Sequence, residues 1–221
     1  QTRGAFIGLI AAAAGLFVFS FVYRPLLRKK IIVAFGIILV LGSFLLMNRH
    51  KPFVENLPGS RLINFSFSAD SLQTRFWTWN SAWQGFKERP ILGWGPENFS
   101  TVFDKYFDPR HFIPGTNAET WFDRAHSVIF DYLAETGAVG LLSYLSIFAV
   151  FYYEFFKNLK RRETLTHVGT ADNFSAHFKS ALIFAMPIGY FVQGLALFDV
   201  LPIYINLFLF RHIYNKYNLI I

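Results

Sequence analysis

The chain has 221 residues, of which 53% are hydrophobic and only 16% charged, and its formal net charge is +7. Soluble domains average about 25% charged residues, and such an apolar composition excludes a disordered or collagen-like chain. The absence of cysteine excludes a disulfide-stapled module, thiolate metal sites and cysteine nucleophiles. Because the first residue is Gln1 rather than Met, we expect the sequence to be the C-terminal part of a longer chain.

Long uncharged runs predict an all-α fold, a multi-pass transmembrane helix bundle. Residues 4–23 form a run of 20, and residues 31–47 and 137–153 form two runs of 17. A helix needs about 20 apolar residues to cross the hydrocarbon core, so each run predicts one span. Residues 180–210 contain one ionisable residue, Asp199, and predict two further spans that turn near residues 197–202. Buried helices of a soluble protein are the alternative, which four separate runs disfavour.

The distribution of charge predicts the orientation of these spans. Residues 48–135 contain nine basic and ten acidic residues, whereas the rest of the chain contains twelve basic and four acidic residues. Short cationic loops stay on the cytoplasmic side, which places loops 24–30 and 157–179 and the C-terminus in the cytoplasm. Residues 48–136 then lie outside it. The positive charge therefore indicates membrane topology rather than nucleic-acid binding.

Three parts follow from this topology: two spans in residues 1–47, a large, partly helical extracytoplasmic loop in residues 48–136, and three spans with the basic cytoplasmic loop 157–179 in residues 137–221. All five tryptophans lie in the extracytoplasmic loop, and loops of such length are usually functional or structured. We therefore expect this loop to carry the functional site.

Helical spacing predicts structure within the extracytoplasmic loop. Residues Arg75, Trp79 and Trp83 share one helix face, which predicts an amphipathic helix over residues 72–88 that ends before Pro90. Glycines at positions 93 and 95 predict a tight turn after it. Asp123 is a predicted N-cap for a helix that continues through His126 into the third span.

Several kinds of chemistry lack their motifs. The sequence contains no dinucleotide-binding, Walker A, zinc-protease or nucleophile-elbow motif, and no D-x-D spacing. No two of the six histidines have ligand spacing on a clear helix, so we expect neither a metal nor a cofactor.

Basic side chains are predicted to gather where the extracytoplasmic loop meets the membrane: Arg3, Arg75, Arg124 and His126. Any one arginine there could simply snorkel or bind lipid headgroups. Together, however, guanidinium groups bind phosphate oxygens bidentately and a neutral imidazole accepts a proton. The cluster would therefore suit a lipid diphosphate.

Four sequence motifs resemble those of the bacterial O-antigen ligase and O-antigen polymerase family. His126, Ser127 and, nine residues later, Gly137 and Gly140 are similar to its signature H-[NSQ]-x9-G-x-x-G. Three further family segments have counterparts in the same order. The S-R-G-a segment is similar to residues 1–6, R-x-x-x-W-x-x-A to residues 75–82, and P-x-x-G-x-G-x-x-x-F to residues 90–99. Thr2 and Ser127 replace a more usual Ser and a frequent Asn.

The resemblance implies a membrane glycosyltransferase of the C-type class in the bacterial cytoplasmic membrane. Such enzymes move a glycan from an undecaprenyl-diphosphate carrier to an acceptor hydroxyl of a lipid, growing polymer or protein, without a metal and with inversion. In this chain Arg3 and Arg75 would bind the diphosphate and His126 would be the catalytic base. We add Arg124 and Trp79 as further substrate-binding residues, and the motif glycines 93, 95, 137 and 140 as structural positions, the last two allowing close helix packing.

Alternatives remain open. The same superfamily contains polymerases and protein O-oligosaccharyltransferases. A lipid-linked glycan transporter would perform no chemistry, and transporters place polar groups at the membrane midplane, where this sequence is nearly apolar. A non-enzymatic scaffold would need no single indispensable basic residue.

Overall fold

A computed structural model of the chain describes residues 3–56, 69–112, 120–166 and 174–195. These ranges are mainly helical and contain no strand, which confirms the all-α class. Their α-helices, in chain order, are α1 (Arg3–Tyr23), α2 (Arg28–Met47), α3 (Pro52–Glu55), α4 (Ala69–Glu88), α5 (Phe99–Lys105), α6 (Val128–Thr166) and α7 (Phe174–Gly194). Two 3-10 turns, Pro25–Leu27 and Pro109–His111, lie between them.

Three helical stretches in the described ranges are long and apolar enough to cross a membrane: Gly4–Tyr23, Pro25–Met47 and Val128–Lys160. They contain the first three predicted spans, which confirms a multi-pass helix bundle. Helix α7 contains the first part of the predicted fourth span. The turn near residues 197–202 and the fifth span lie outside the described residues. The side of the membrane on which each loop lies stays a prediction.

Helices α1 and α7 pack antiparallel with their backbones in close contact. A Cβ atom built on Gly8 would lie 2.6 Å from the Gly189 carbonyl oxygen, and one built on Gly15 would lie 3.0 Å from Ile188 Cδ1. Only glycine leaves room for so close an approach, which is a common way for membrane helices to gain packing contacts.

An aromatic cluster joins α6 to this pair of helices. Phe19 of α1, Phe155 of α6 and Ala181 of α7 are buried together, and the Phe19 and Phe155 rings meet edge to face at 5.8 Å. Helix α2 has no buried residue in the described structure and lies at the edge of the bundle.

A second core lies in the predicted extracytoplasmic loop. Helix α4 begins three residues before the predicted amphipathic helix and ends at Glu88, as predicted. Its small residues face inwards, and a Cβ atom on Gly85 would lie 2.3 Å from Val102 of α5. The buried members of this core come from α4, α5, α6 and the segment before α6: Ala82, Phe99, Val102, Phe103, Phe122, Ala125 and Ala134.

Candidate functional site

Trp79 fixes α4 against the segment that carries His126. Its indole Nε1 donates a hydrogen bond to the Ala125 carbonyl oxygen at 2.9 Å, and its ring stacks on Phe130 at 5.1 Å. Arg75 lies four residues earlier on α4 and is partly exposed. Since side chains at i and i+4 are neighbours about 5–6 Å apart at Cβ, Arg75 lies one helical turn from the residue that contacts Ala125. The Trp79 contact therefore brings this turn of α4 next to the segment that carries the predicted base.

His126 has an unusual backbone conformation. Its φ is +55°, in the left-handed region that residues other than glycine seldom adopt. Its Nδ1 lies 3.1 Å from the Arg124 carbonyl oxygen, and its ring meets Phe122 edge to face at 5.5 Å. A carbonyl only accepts hydrogen bonds, so in the neutral imidazole this contact assigns the proton to Nδ1 and the lone pair to Nε2. Nε2 is then the atom that can accept a proton.

The helix after His126 starts later than predicted. Helix α6 begins at Val128, so Asp123 is not its N-cap and His126 precedes the helix rather than lying on it. Buried Ser127 occupies the cap position, where its carbonyl accepts the Asp131 N–H at 2.9 Å. The Asp131 carboxylate turns back and accepts the Ala125 N–H at 2.6 Å. The contact between residues 131 and 125 makes a tight turn before the helix.

Helix α6 is broken at Gly137, where φ is +65° and ψ is −163°. The turn at residues 90–95 docks into the break through backbone hydrogen bonds. The Ala138 N–H donates to the Pro90 carbonyl at 2.8 Å, and the Gly95 N–H donates to the Glu135 carbonyl at 2.8 Å. The P-x-x-G-x-G and G-x-x-G segments are therefore two halves of one structure.

Glycines make this docking possible. Gly93 has a φ of +67°, and a Cβ atom there would lie 2.4 Å from the Glu135 carbonyl carbon. A Cβ atom on Gly137 would lie 2.4 Å from the Ile91 carbonyl oxygen. Gly137 therefore packs on the turn at residues 90–95, and the prediction that it allows close packing with another helix was wrong. Gly140 instead leaves room for the Thr136 side chain on its own helix. Gly95, with a φ of +100°, completes the predicted turn.

Arg124 is held by two carboxylates. It forms an ion pair with Glu97, and its Nη1 lies 3.8 Å from Glu135 Oε1. The Glu97 N–H also donates to Glu135 Oε2 at 3.2 Å. The Glu135 side chain is 8% exposed and the Glu97 side chain 74%. Solvent and any anionic ligand can therefore compete for Arg124 with Glu97 but not readily with Glu135.

Arg3 begins α1, and the position of its side chain lies outside the described part of the structure. The backbone places Arg3 at the end of the bundle where α6 starts. Gly8 packs on Gly189, so the start of α1 lies beside the end of α7. A Cβ atom on Gly194, at that end of α7, would lie 3.5 Å from Val128 Cβ. The start of α1 and the start of α6, just after His126, thus share one end of the bundle.

His111 was not singled out from the sequence. It ends the turn Pro109–His111, is fully buried, and its two ring nitrogens have no hydrogen-bond partner among the described residues. Burial lowers the pKa of its imidazole. Its ring lies 5.3 Å from Phe122, which also contacts the ring of His126. The other rings around it are those of Trp77, Phe103 and Phe107.

Comparison with known proteins identifies the region that carries these features. Residues 1–145 match the O-antigen ligase family. An uncharacterized protein of Haemophilus influenzae is 25% identical over 163 residues, which cover 71% of this chain and 39% of that protein. The chain thus matches less than half of the length of that relative. The matched residues include Arg3, α4, His126 and the break at Gly137.

Proposed function

The chain belongs to the O-antigen ligase family, whose members are glycosyltransferase-like membrane enzymes, and we propose that it transfers a glycan from an undecaprenyl-diphosphate carrier to an acceptor hydroxyl. The reaction would take place at the outer face of the bacterial cytoplasmic membrane. Lipid-linked glycan and acceptor partners are general to the family. The proposed acceptor is one of three hydroxyl-bearing molecules: the lipid A core, a growing glycan or a protein.

His126 is the proposed base. The observation that supports this role most directly is the contact between its Nδ1 and the Arg124 carbonyl, which assigns the lone pair to Nε2. An acceptor hydroxyl is a poor nucleophile until a base removes its proton, and such assistance typically contributes about 10²–10⁴-fold. Attack on the face opposite the diphosphate inverts the anomeric carbon.

Arginines are the proposed diphosphate ligands. A lipid diphosphate leaves readily once its charge is offset, and electrostatic stabilisation is usually the largest catalytic contribution. Arg75 lies one turn from the contact between Trp79 and Ala125, and Arg3 begins α1 at the end of the bundle where α6 starts. Two guanidinium groups here would provide the positive charge without a metal or a cofactor.

In this proposal Arg124 also binds the diphosphate, by exchanging one of its carboxylate partners for a phosphate. Its exposed partner Glu97 is the carboxylate that an incoming phosphate would replace, while buried Glu135 would keep the guanidinium in position. Trp79 uses its indole N–H for Ala125, and Phe130 covers one face of its ring. We therefore expect Trp79 to contact the substrate through its remaining ring surface.

The test is a transfer assay with the full-length protein in vesicles, a labelled undecaprenyl-diphosphate-linked glycan and a hydroxyl acceptor. His126→Ala should abolish the covalent product, and Arg75→Lys should reduce it because the bidentate fork is lost. His50→Ala, which replaces an exposed histidine near the end of α2, is the matched control and should retain activity. Near-normal transfer by His126→Ala would refute the assignment.

The same assay separates the alternatives. Mass analysis of the product distinguishes a ligated lipid, an extended polymer and a glycosylated protein. Movement of labelled donor across the vesicle membrane without a covalent product would instead indicate a transporter. Neither a covalent product nor donor movement in the wild type, with the arginine and His126 variants indistinguishable from it, would indicate a scaffold.

A further inference from the structure

The peptide unit between residues 124 and 125 connects Asp131 to His126. Its N–H, which belongs to Ala125, donates to Asp131 Oδ1 at 2.6 Å. Its carbonyl, which belongs to Arg124, lies 3.1 Å from His126 Nδ1. A carboxylate and an imidazole thus contact opposite edges of one planar amide.

The next peptide unit is fixed as well. The Ala125 carbonyl accepts the hydrogen bond from Trp79 Nε1 at 2.9 Å. Ala125 is fully buried and Asp131 is 5% exposed, so water does not compete readily for these bonds. Both peptide units that flank Ala125 are therefore held by side chains of α4 and α6. This fixes the backbone of Ala125, the residue before His126. His126 itself has a left-handed φ, and its ring reaches back to the Arg124 carbonyl.

We propose that Asp131 is a positioning residue for the His126 base and acts through the peptide unit 124–125. The inference rests on the proposed function. A carboxylate that accepts from an amide N–H polarises the amide and strengthens its carbonyl as an acceptor, since hydrogen bonds in chains polarise one another. The strengthened carbonyl favours the proton on Nδ1, leaves the lone pair on Nε2, and stabilises the imidazolium that forms when Nε2 takes the acceptor proton. Asp131 itself exchanges no proton.

The arrangement serves the purpose that a carboxylate serves when it binds a catalytic imidazole directly. Here one amide lies between the two groups. Helix geometry explains why Asp131 can do this, because side chains in a helix point towards its N-terminus. A carboxylate in the first turn of α6 thus reaches the segment that precedes the helix.

Two substitutions separate the hydrogen bond from the charge. Asp131→Asn keeps a side-chain oxygen that can accept the Ala125 N–H, whereas Asp131→Ala removes the acceptor. We expect Asp131→Ala to lower kcat by about 10²-fold, the cost of misplacing a catalytic group, with little change in the KM for the donor. Asp131→Asn should retain most of kcat. If Asp131→Ala does not fold, Asp131→Ser replaces it, since its hydroxyl is too short to reach Ala125.

The decisive readout is the ¹⁵N spectrum of the His126 imidazole, which identifies the protonated nitrogen and needs no activity. The wild type and Asp131→Asn should carry the proton on Nδ1, and Asp131→Ala should show a mixture of both forms. Asp123→Asn removes an exposed carboxylate from the same segment and should change neither spectrum nor kcat. Ala134→Gly weakens α6 at another buried position and leaves the side chains that bind the Ala125 backbone unchanged, so it controls for general destabilisation.

The outcomes are distinct. An unchanged spectrum and kcat in Asp131→Ala would overturn the inference. An Asp131→Asn variant as inactive as Asp131→Ala would overturn it too, because this result would give the carboxylate a direct part in proton transfer. Failure of the proposed function appears differently, as transfer that persists in His126→Ala. The ¹⁵N spectrum tests the positioning contact in either case.

Discussion

Gly137→Ala tests the junction between the two glycine motifs. The glycine has a φ of +65° and a ψ of −163°, a region that is essentially restricted to glycine. An added Cβ would lie 2.4 Å from the Ile91 carbonyl oxygen and 2.8 Å from the Gly93 backbone nitrogen. Both neighbours are backbone atoms, so the docked turn at residues 90–95 must move away as a unit.

The expected loss of stability follows from two contributions. Backbone strain of this kind costs about 1–3 kcal/mol. Movement of the turn also weakens two backbone hydrogen bonds: Ala138 N–H to the carbonyl of residue 90 at 2.8 Å, and Val139 N–H to the carbonyl of residue 91 at 3.3 Å. Each such bond contributes about 0.5–1.5 kcal/mol net. Together they give about 2–6 kcal/mol, a large share of the about 5–15 kcal/mol that stabilises a typical protein.

Thermal unfolding in detergent measures the effect, and about 2 kcal/mol lowers the Tm of a chain of this size by roughly 4–8 °C. Gly42→Ala is the matched control. Gly42 lies in α2 with no atom within 4 Å of an added Cβ, so alanine should be neutral or stabilise by about 0.5–1 kcal/mol. If Gly137→Ala had the same Tm as Gly42→Ala, the docked arrangement would be refuted.

Three further substitutions test other contacts of the site. His111→Phe should flatten the pH dependence of unfolding: burial lowers the folded-state pKa of His111, so wild-type stability is full above about pH 6.5 and falls as the pH drops from there towards that lowered pKa. Denaturant titrations across this range compare the two proteins, and parallel curves would contradict the burial. Trp79→Phe keeps an aromatic ring but leaves the buried Ala125 carbonyl without its donor, which should cost about 1–3 kcal/mol in the same titration and lower kcat. Unchanged kcat and stability would argue against the contact. Glu97→Gln removes the exposed charge beside Arg124, and should lower the donor KM by about two- to fivefold, since exposed ion pairs are worth up to about 1 kcal/mol. A raised KM in the transfer assay would show that Glu97 supports donor binding instead of competing with it.

The sequence was informative where one physical cause dominates. Uncharged runs identify spans because hydrocarbon tolerates few charges, and three of them correspond to helices of sufficient length and hydropathy. The spacing of Arg75 and Trp79 identified α4, because an amphipathic helix must bury one face. Pro90 was a reliable signal for the end of α4 at Glu88, since proline disfavours helix in the residue that precedes it, Arg89.

The start of α6 could not be predicted because its determinants lie in the tertiary structure. Asp123 has the residue type of an N-cap, but the helix begins after Ser127. The carboxylate of Asp131 fixes that start by binding Ala125, and Trp79 of a different helix binds the same residue from the other side. Likewise, nothing in the spacing of Glu97, Arg124 and Glu135 indicates that they meet. Contacts between distant segments depend on how the segments pack, and local sequence patterns do not record this.

The nine residues between Ser127 and Gly137 have a structural meaning in this fold. Residues 128–136 are the part of α6 before the break. At about 1.5 Å per residue they span about 13 Å, with the turn that carries His126 at one end and the docked residues 90–95 at the other. Each residue of a helix rotates the chain by about 100°, so one residue more or fewer would turn His126 away from Trp79 and α4 while the glycine break stayed in place. In this chain the nine-residue spacing therefore determines the direction of the imidazole, because a helix of set length links the proposed base to the docked turn.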